Sequence, residues 1–181
     1  MAEPVDTHFP GVASHRQVGY APDSMNRVGI GVDVHRFVPG RKCILGGVEI
    51  PHETGLEGHS DADVLAHAIA DALLGAAALG DIGKYYPPSD MKFKDLDSMI
   101  IVRECAERVR KAGGRINNVD AVIIAEAPRM APHIPKMQEI LGRYMGVAPT
   151  QVGVKATTSE HMGFTGRKEG IVAIAIASIE M

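Results

Sequence analysis

The sequence predicts an α+β fold in which one mixed sheet carries helices on one of its faces. Segments with alternating apolar residues, interpreted as strands, are interspersed with segments whose apolar residues recur every three or four positions, interpreted as helices. Their order, β-β-α-α-β-α-β-β, differs from the regular alternation that builds a parallel α/β sheet. The chain has 181 residues, of which 45% are apolar, so it can bury the core of one ordinary domain.

Residues 1–26 are interpreted as a flexible leader in front of a single catalytic domain at residues 27–181. The leader mixes prolines, glycines and charges without a period, and it lacks the basic-then-apolar pattern of a signal peptide. The chain contains no run of about 18 uncharged apolar residues, so no membrane span is expected. Its two cysteines show no metal-type spacing and are too few for a disulfide framework, which favours a reducing, cytoplasmic location.

Two short strands and a helix are predicted after the leader. Residues 27–35 alternate as a strand, and residues 43–50 form a second strand with a bulge at its two adjacent glycines. Residues 60–79 form a helix that begins at Ser60, with Asp63 three residues later as in a capping box.

The second half of the domain contains two more helices and three more strands. In order, they are a Gly-, Pro- and Asp-rich loop at 80–95, a helix at 96–112, a buried strand at 119–125, a helix at 132–145, and strands at 151–156 and 171–179. The last strand is apolar on both of its faces, which predicts that both are covered.

The charge of the chain argues against a nucleic-acid-binding surface. The net charge is −3 and the pI is near 6.2, whereas such surfaces are basic. An acidic small molecule would therefore have to be held by local features such as a metal ion, a helix N-terminus or a few basic side chains.

Three side chains are candidate metal ligands. Asp33 and His35 point to the same side of the first strand, because side chains alternate along a strand, and His67 lies on the first helix. Each motif alone also fits an ordinary surface aspartate or a histidine at the polar edge of a helix. Together they form the three-ligand set with an open fourth position that is typical of catalytic zinc, although iron(II) accepts the same ligands.

The helix that carries His67 also places two carboxylates one turn away, at Asp63 and Asp71. Helical side chains lean toward the N-terminus, so Asp71 leans back over His67, whereas Asp63 is partly committed to the helix start. We therefore predict that Asp71 accepts a hydrogen bond from the imidazole nitrogen of His67 that does not face the metal.

Further segments have the composition of a phosphate or nucleotide site. They are His59-Ser60 before the first helix, the turn 80–84, the loop 125–131, the hydroxyl-rich segment 155–160 and the segment 163–167, which contains glycines and an arginine. A helix N-terminus and clustered hydroxyl and basic groups can hold phosphate. Each segment alone also fits an ordinary cap or turn.

Taken in order along residues 27–181, these motifs resemble the 2-C-methyl-D-erythritol 2,4-cyclodiphosphate synthase family. The resemblance is carried by Asp33-Val-His35, His59-Ser-Asp-Ala-Asp63, Asp81-Ile-Gly83-Lys84, Lys155-Ala-Thr-Thr158 and Gly163-Phe-Thr-Gly-Arg167. It implies an α+β sheet on three helices, assembled as a homotrimer around a three-fold axis, with each site shared between neighbouring subunits.

The resemblance also implies the ligands of each site residue. Zinc would be bound by Asp33, His35 and His67, and a second cation, Mg²⁺ or Mn²⁺, by Glu160 together with the substrate phosphates. The substrate, a small molecule linked to cytidine diphosphate, would contact Asp33, His35, Ser60, Asp81, Ile82, Gly83, Tyr86, Asp90, Ala125, Pro128, Arg129, Met130, Ala131, Thr157, Thr158, Ser159, Glu160, Phe164 and Arg167.

The implied reaction closes 4-diphosphocytidyl-2-C-methyl-D-erythritol 2-phosphate into 2-C-methyl-D-erythritol 2,4-cyclodiphosphate and releases CMP, in non-mevalonate isoprenoid biosynthesis. His59 and Thr158 would be catalytic, because they would stabilise charge in the transition state. Two alternatives stay open at this point. One is a zinc-dependent phosphohydrolase of a nucleoside diphosphate-linked substrate, and the other is a non-enzymatic trimer that binds metal or nucleotide.

Two regions depart from the family pattern. The loop reads Tyr85-Tyr86-Pro87-Pro88, where the family more often has Phe before the proline and an acid after it, so a carboxylate is lost at Pro88. Ala131 replaces a larger apolar residue, which is expected to loosen the cytosine pocket.

Overall fold

The computed structural model describes residues 24–181, so the predicted leader lies outside the described residues except for its last three positions. Within residues 24–181, the elements are β1 (Asn26–Pro39), β2 (Cys43–Leu45), β3 (Val48–Ile50), β4 (Thr54–Leu56), α1 (Val64–Ala76), α2 (Ile82–Tyr85), α3 (Ser98–Lys111), β5 (Arg115–Ile124), α4 (Ile134–Met145), β6 (Val152–Thr157), α5 (Gly163–Gly166) and β7 (Gly170–Glu180), with single turns of 3-10 helix at Met91–Phe93 and Pro149–Gln151. Apart from the strand predicted at 43–50, each predicted helix and strand is present, and its ends differ from the prediction by at most four residues.

Five strands form one mixed sheet in the order β4-β1-β7-β5-β6, which confirms the predicted α+β class. β5 and β6 are parallel neighbours, and the other adjacent pairs are antiparallel.

The single strand predicted at 43–50 is wrong. Gly46 and Gly47 both have positive φ and form a tight turn, so the segment folds into the β2–β3 hairpin. β4 has no counterpart in the sequence prediction, because three residues are too few to show a period.

Helix α1 lies against β1 and β7 and occupies the centre of the core. Two glycines of β1 allow this close contact. A Cβ atom on Gly29 would lie 2.2 Å from the Ala72 carbonyl oxygen, and one on Gly31 would lie 2.0 Å from that of Ala68. The glycines therefore let the helix backbone touch the strand, which brings the polar residues of α1 beside the second half of β1.

The first helix begins later than the sequence predicts, because Asp63 rather than Ser60 is its N-cap. The Asp63 carboxylate accepts the N–H of Ala66 at 3.0 Å. It also accepts the N–H groups of Gly46 and Gly47, at 2.9 and 2.7 Å, and so ties the β2–β3 turn to α1. Spacing along the sequence does not reveal this second role, which depends on a turn formed earlier in the chain.

The face of the sheet opposite α1 is largely exposed in the described part of the chain. On β1, the side chains of Val28, Ile30, Val32 and Val34 are 66%, 65%, 53% and 49% exposed, and Ile176 of β7 is 45% exposed. On β7 itself, Val172, Ile174 and Ser178 are half-buried in a single copy and Ile176 is exposed. One face of β7 is therefore fully covered and the other partly covered, and coverage of both faces stays a prediction. No helix among residues 24–181 has the length and apolarity needed to cross a membrane.

Candidate active site

The three predicted metal ligands converge where the second half of β1 meets α1. The Asp33 Oδ2 atom lies 3.0 Å from His35 Nε2 and 2.9 Å from His67 Nδ1, and the two nitrogens are 3.3 Å apart. Ligands placed about 2.0–2.1 Å from a tetrahedral zinc ion lie roughly 3.3 Å from one another. The three atoms therefore have the spacing of ligands around one small metal ion, as their joint clustering also indicates.

Hydrogen bonds assign the imidazole nitrogens that are free to bind a metal. His35 Nδ1 lies 2.5 Å from the carbonyl oxygen of Glu57 and therefore carries the proton. His67 Nε2 lies 2.9 Å from Ser98 Oγ, whose own hydrogen is donated to Asp61 Oδ1 at 2.5 Å, so Nε2 donates to this serine. Ser60 Oγ is a second, longer partner of Nε2 at 3.2 Å. The other nitrogen of each ring then presents a lone pair toward the shared aspartate. These two nitrogens and the Asp33 oxygen are hydrogen-bond acceptors that face one another, which is the arrangement expected around a bound cation.

The prediction that Asp71 accepts a hydrogen bond from His67 Nε2 is wrong, because Ser98 accepts it instead. Asp71 is used elsewhere: its carboxylate accepts the N–H of Ile82 at 2.7 Å and holds the start of α2. Asp63 is likewise committed to the start of α1. Ser98 comes 31 residues after His67 and meets it only because α3 packs on α1, so no local spacing could have identified it.

Asp33 and the two neighbouring histidines stabilise one another's charged forms, which shifts the pKa values of Asp33 and His35. Without a metal ion, a proton can take its place on the facing nitrogen of His35 or His67 and be donated to Asp33. Burial alone would raise the pKa of Asp33, but these hydrogen bonds outweigh burial and hold that pKa well below its usual range. Burial would also lower the pKa of His35, and the hydrogen bond to Asp33 overcomes it, so the pKa of His35 is raised. Asp33 is therefore an ionised ligand at neutral pH, as a cation site requires.

The three ligands open into a cavity of about 220 Å³. The predicted site residues that line it are Asp33, His35, His59, Ser60, His67, Ile82, Gly83 and Tyr86. Pro88, in the loop 86–90 that the resemblance also placed at the site, lines the cavity too, and three lining residues were not predicted, namely Phe93, Leu96 and Ile101. The cavity therefore combines a polar, metal-binding wall with an apolar one, which suits a small ligand that has both charged and apolar parts.

The segment after α2 closes one wall of the cavity. Tyr86 donates its hydroxyl hydrogen to Glu104 of α3 at 2.5 Å, and His59 Nε2 lies 3.2 Å from the Asp90 carbonyl oxygen. The carboxylates of Asp81 and Asp90 accept backbone N–H groups of the turns that follow them, at 3.0 and 3.1 Å. These two aspartates thus shape the loop, and neither is among the residues that line the cavity.

The predicted nucleotide residues form a second group at the carboxyl ends of β5 and β6. Ile124 and Thr157 are paired in these parallel strands, so the loops that follow lie side by side. The Ala125 N–H donates to the Thr157 carbonyl at 3.0 Å, and Thr158 Oγ1 donates to Glu160 Oε1 at 2.6 Å. Because β7 and β5 separate β1 from β6, this group lies about 10–15 Å from the three ligands across the sheet.

The remaining predicted site residues differ in their availability to a ligand. Met130 is only 4% exposed, so it can reach a ligand only through its backbone. Arg167 pairs with Glu169, with 2.7 Å between Nε and Oε1. Phe164 lies on a separate open hollow of about 410 Å³ that also touches His35. The loops that follow β5 and β6 contain Pro128, Arg129, Ala131 and Ser159.

Comparison with known sequences identifies relatives of this chain. The model of the YgbB family matches residues 26–180. The 2-C-methyl-D-erythritol 2,4-cyclodiphosphate synthase of Moorella thermoacetica is 59% identical over 150 residues, which cover 83% of this chain and 92% of the relative. The enzyme of the same name from Cupriavidus necator is 60% identical over 149 residues, which cover 82% of this chain and 88% of the relative.

Solved structures are similar as well. The bifunctional IspDF from Campylobacter jejuni superposes with a TM-score of 0.85 at 40% identity, covering 88% of this chain and 43% of that one. A 2C-methyl-D-erythritol-2,4-cyclodiphosphate synthase in its CDP-bound form gives a TM-score of 0.76 at 32% identity, covering 83% of this chain and 98% of that one. The chain therefore belongs to the YgbB family and is an enzyme of the cyclodiphosphate synthase kind.

Proposed function

We propose that residues 27–181 convert 4-diphosphocytidyl-2-C-methyl-D-erythritol 2-phosphate to 2-C-methyl-D-erythritol 2,4-cyclodiphosphate and CMP. The observation that carries this proposal is the cluster of Asp33, His35 and His67, whose free lone pairs converge beside a cavity of about 220 Å³. The names and the high identity of the relatives support the same reaction.

The metal is proposed to be zinc, held by Asp33, His35 and His67. The mixed nitrogen and oxygen ligands, their mutual spacing and the hydrogen bonds to the outer nitrogens all suit zinc. When bound, zinc supplies Lewis-acid stabilisation and orientation to a phosphate oxygen. Glu160, which is exposed and hydrogen-bonded to Thr158, is proposed to hold Mg²⁺ or Mn²⁺ together with the substrate phosphates.

The reaction needs positioning more than acid–base chemistry. An oxygen of the 2-phosphate forms a new bond to the β-phosphorus, and the bond from that phosphorus to the CMP oxygen breaks, so CMP leaves with the electron pair. The attacking phosphate is already ionised at neutral pH, so no strong base is required. The protein then contributes alignment of the two phosphates and stabilisation of transition-state charge, roles we assign to His59 and Thr158.

The active site is proposed to be completed by a neighbouring copy in a homotrimer. A solved relative was determined with CDP bound, and we assign the CDP part of the substrate to the loops 125–131 and 157–160. In one chain these loops and the metal ligands lie at the same edge of the sheet, but the loops follow strands two and three positions away from β1. The exposed apolar face of β1 and β7 offers a surface through which copies can associate and join the two groups.

Product analysis tests the proposed reaction. The zinc-loaded chain is incubated with the cytidylated 2-phosphate and MgCl₂, and the products are followed by ³¹P NMR and mass spectrometry. We expect the cyclic diphosphate and CMP in equal amounts. Linear products would instead indicate a phosphohydrolase, and binding of CDP without any turnover would indicate a non-enzymatic metal- and nucleotide-binding protein.

Complementation tests the shared site. We call Asp33, His35 and His67 the metal group, and the loops 125–131 and 157–160 the nucleotide group. His35→Ala removes a residue of the metal group, and Thr158→Ala removes a residue of the nucleotide group, so each variant alone should be inactive. If sites form between copies, randomly mixed trimers of the two variants should recover about a quarter of the sites, because one intact group comes from each variant. No recovery in mixtures that light scattering shows to be trimeric would contradict the shared site.

A further inference from the structure

Glu126 lies in the loop after β5, but its carboxylate points into the neighbouring loop after β6. The side chain is only 5% exposed. Its Oε1 atom accepts the N–H of His161 at 3.0 Å and the N–H of Ser159 at 3.2 Å. These donors, with the His161 N–H contributing most, hold the pKa of Glu126 below its usual range. The carboxylate is therefore ionised and already engaged within the protein.

The loop that Glu126 contacts has a backbone that needs such support. Glu160 and His161 have φ values of 52° and 63°, in the left-handed region that non-glycine residues seldom adopt. The two N–H groups that bind Glu126 lie on either side of Glu160. The side chains of Glu160 and Thr158 are exposed and hydrogen-bonded to each other at 2.6 Å. The direction in which this pair points therefore depends on how the loop is held.

We infer that Glu126 is a positioning residue, which joins the loops after β5 and β6 into one rigid unit and so presents Thr158 and Glu160 to the diphosphate of a bound nucleotide. Glu126 does not contact the ligand in this role, because its side chain is buried and Oε1 is occupied by the Ser159 and His161 donors. Its Oε2 atom lies 3.4 Å from His161 Nδ1. The inference rests on the proposed function, which assigns these loops to the CDP part of the substrate.

The chemistry of the contact provides two matched variants. Glu126→Ala removes the acceptor. Glu126→Gln retains a side-chain carbonyl oxygen that can accept the same N–H groups, but it carries no charge. Glu139→Ala is the control, because Glu139 lies on the exposed side of α4 in an ion pair with Lys136 and has no part in the proposed site.

The experiment measures CDP binding to the zinc-loaded chain in MgCl₂ by calorimetry, with zinc affinity, steady-state kinetics and thermal unfolding in parallel. Glu126→Ala should weaken CDP binding and lower kcat/KM by about 10–100-fold, the scale expected when a contact residue is misplaced by about 1 Å. Glu126→Gln and Glu139→Ala should both stay within about threefold of the unmodified chain. Amide hydrogen exchange at residues 158–162 should accelerate only in Glu126→Ala. Zinc affinity should not change in any variant.

Each other result has a defined meaning. CDP affinity in Glu126→Ala equal to that of the unmodified chain would overturn the inference and leave the proposed function intact. Equal losses in Glu126→Ala and Glu126→Gln would also overturn it, because the amide oxygen can replace the acceptor. A parallel fall in zinc affinity would show a general structural role instead of a local one. An unmodified chain that does not bind CDP would overturn the nucleotide assignment and the inference together.

Discussion

The metal group and the nucleotide group obtain their rigidity in different ways. Asp33, His35 and His67 are backed by α1, which is almost entirely buried between the sheet and α3. The segment from Thr157 to Glu160 is mostly exposed and is held by hydrogen bonds between two loops. Core packing preorganises the first group, whereas a small number of polar contacts preorganise the second. Disturbing the core should therefore affect metal binding, and disturbing single hydrogen bonds should affect nucleotide binding.

The largest expected effect in this comparison is on the metal group. His35→Ala should abolish tight zinc binding and turnover while the protein stays folded, because one of three converging ligands is removed. Zinc content after dialysis and competition with a chromophoric chelator measure the loss. His52→Ala, at an exposed histidine beside Thr54, is the control and should behave like the unmodified chain. Full activity of the His35 variant without bound metal would refute the zinc assignment.

The next prediction tests whether core packing positions the metal group. Gly31→Ala should lower the free energy of unfolding by about 1–3 kcal/mol or more, because the new Cβ would lie 2.0 Å from the backbone oxygen of Ala68. Denaturant titration measures the change, and zinc affinity should fall with it as α1 shifts. Gly153→Ala is a milder control, since its Cβ would meet only the end of the Asp120 side chain at 2.7 Å. Equal destabilisation by the two substitutions would contradict this account.

A smaller effect is expected from the hydrogen bond that orients His67. Ser98→Ala should weaken zinc binding by up to about 10–100-fold, because the imidazole loses its shorter hydrogen-bond acceptor and keeps only Ser60 Oγ at 3.2 Å. Asp71→Asn is the comparison, and it should leave zinc affinity nearly unchanged because Asp71 bonds the backbone of α2 instead. A chelator competition assay in which Asp71→Asn proved the more damaging change would restore the prediction made from helical spacing.

The smallest effect is expected at the cavity wall. Tyr86→Phe retains the ring that lines the cavity but loses the hydrogen bond to Glu104, so stability should fall by about 1 kcal/mol and turnover should persist. A double-mutant cycle with Glu104→Gln, followed by denaturant unfolding, isolates this pair. Additive effects of the two substitutions would show that the hydrogen bond contributes nothing to holding the loop.

Several features of the site could be predicted from local sequence. Asp33 and His35 share a face because side chains alternate along a strand, and this rule depends only on backbone geometry. His67 could be assigned to a helix from the recurrence of its apolar neighbours. The ordered set of motifs from Asp33 to Arg167 is by itself specific enough to indicate the family.

What the sequence alone determined, then, were the longer helices and strands, the direction of side chains within each, and the types of residue available for chemistry. Tertiary structure alone decided which of them meet: Ser98 at the outer nitrogen of His67, Gly31 beneath α1, and Glu126 beneath the loop of Glu160. The physical reason is that periodicity arises from neighbouring residues, while these contacts join segments about 30 or more residues apart and exist only once α1, α3 and the sheet have packed together.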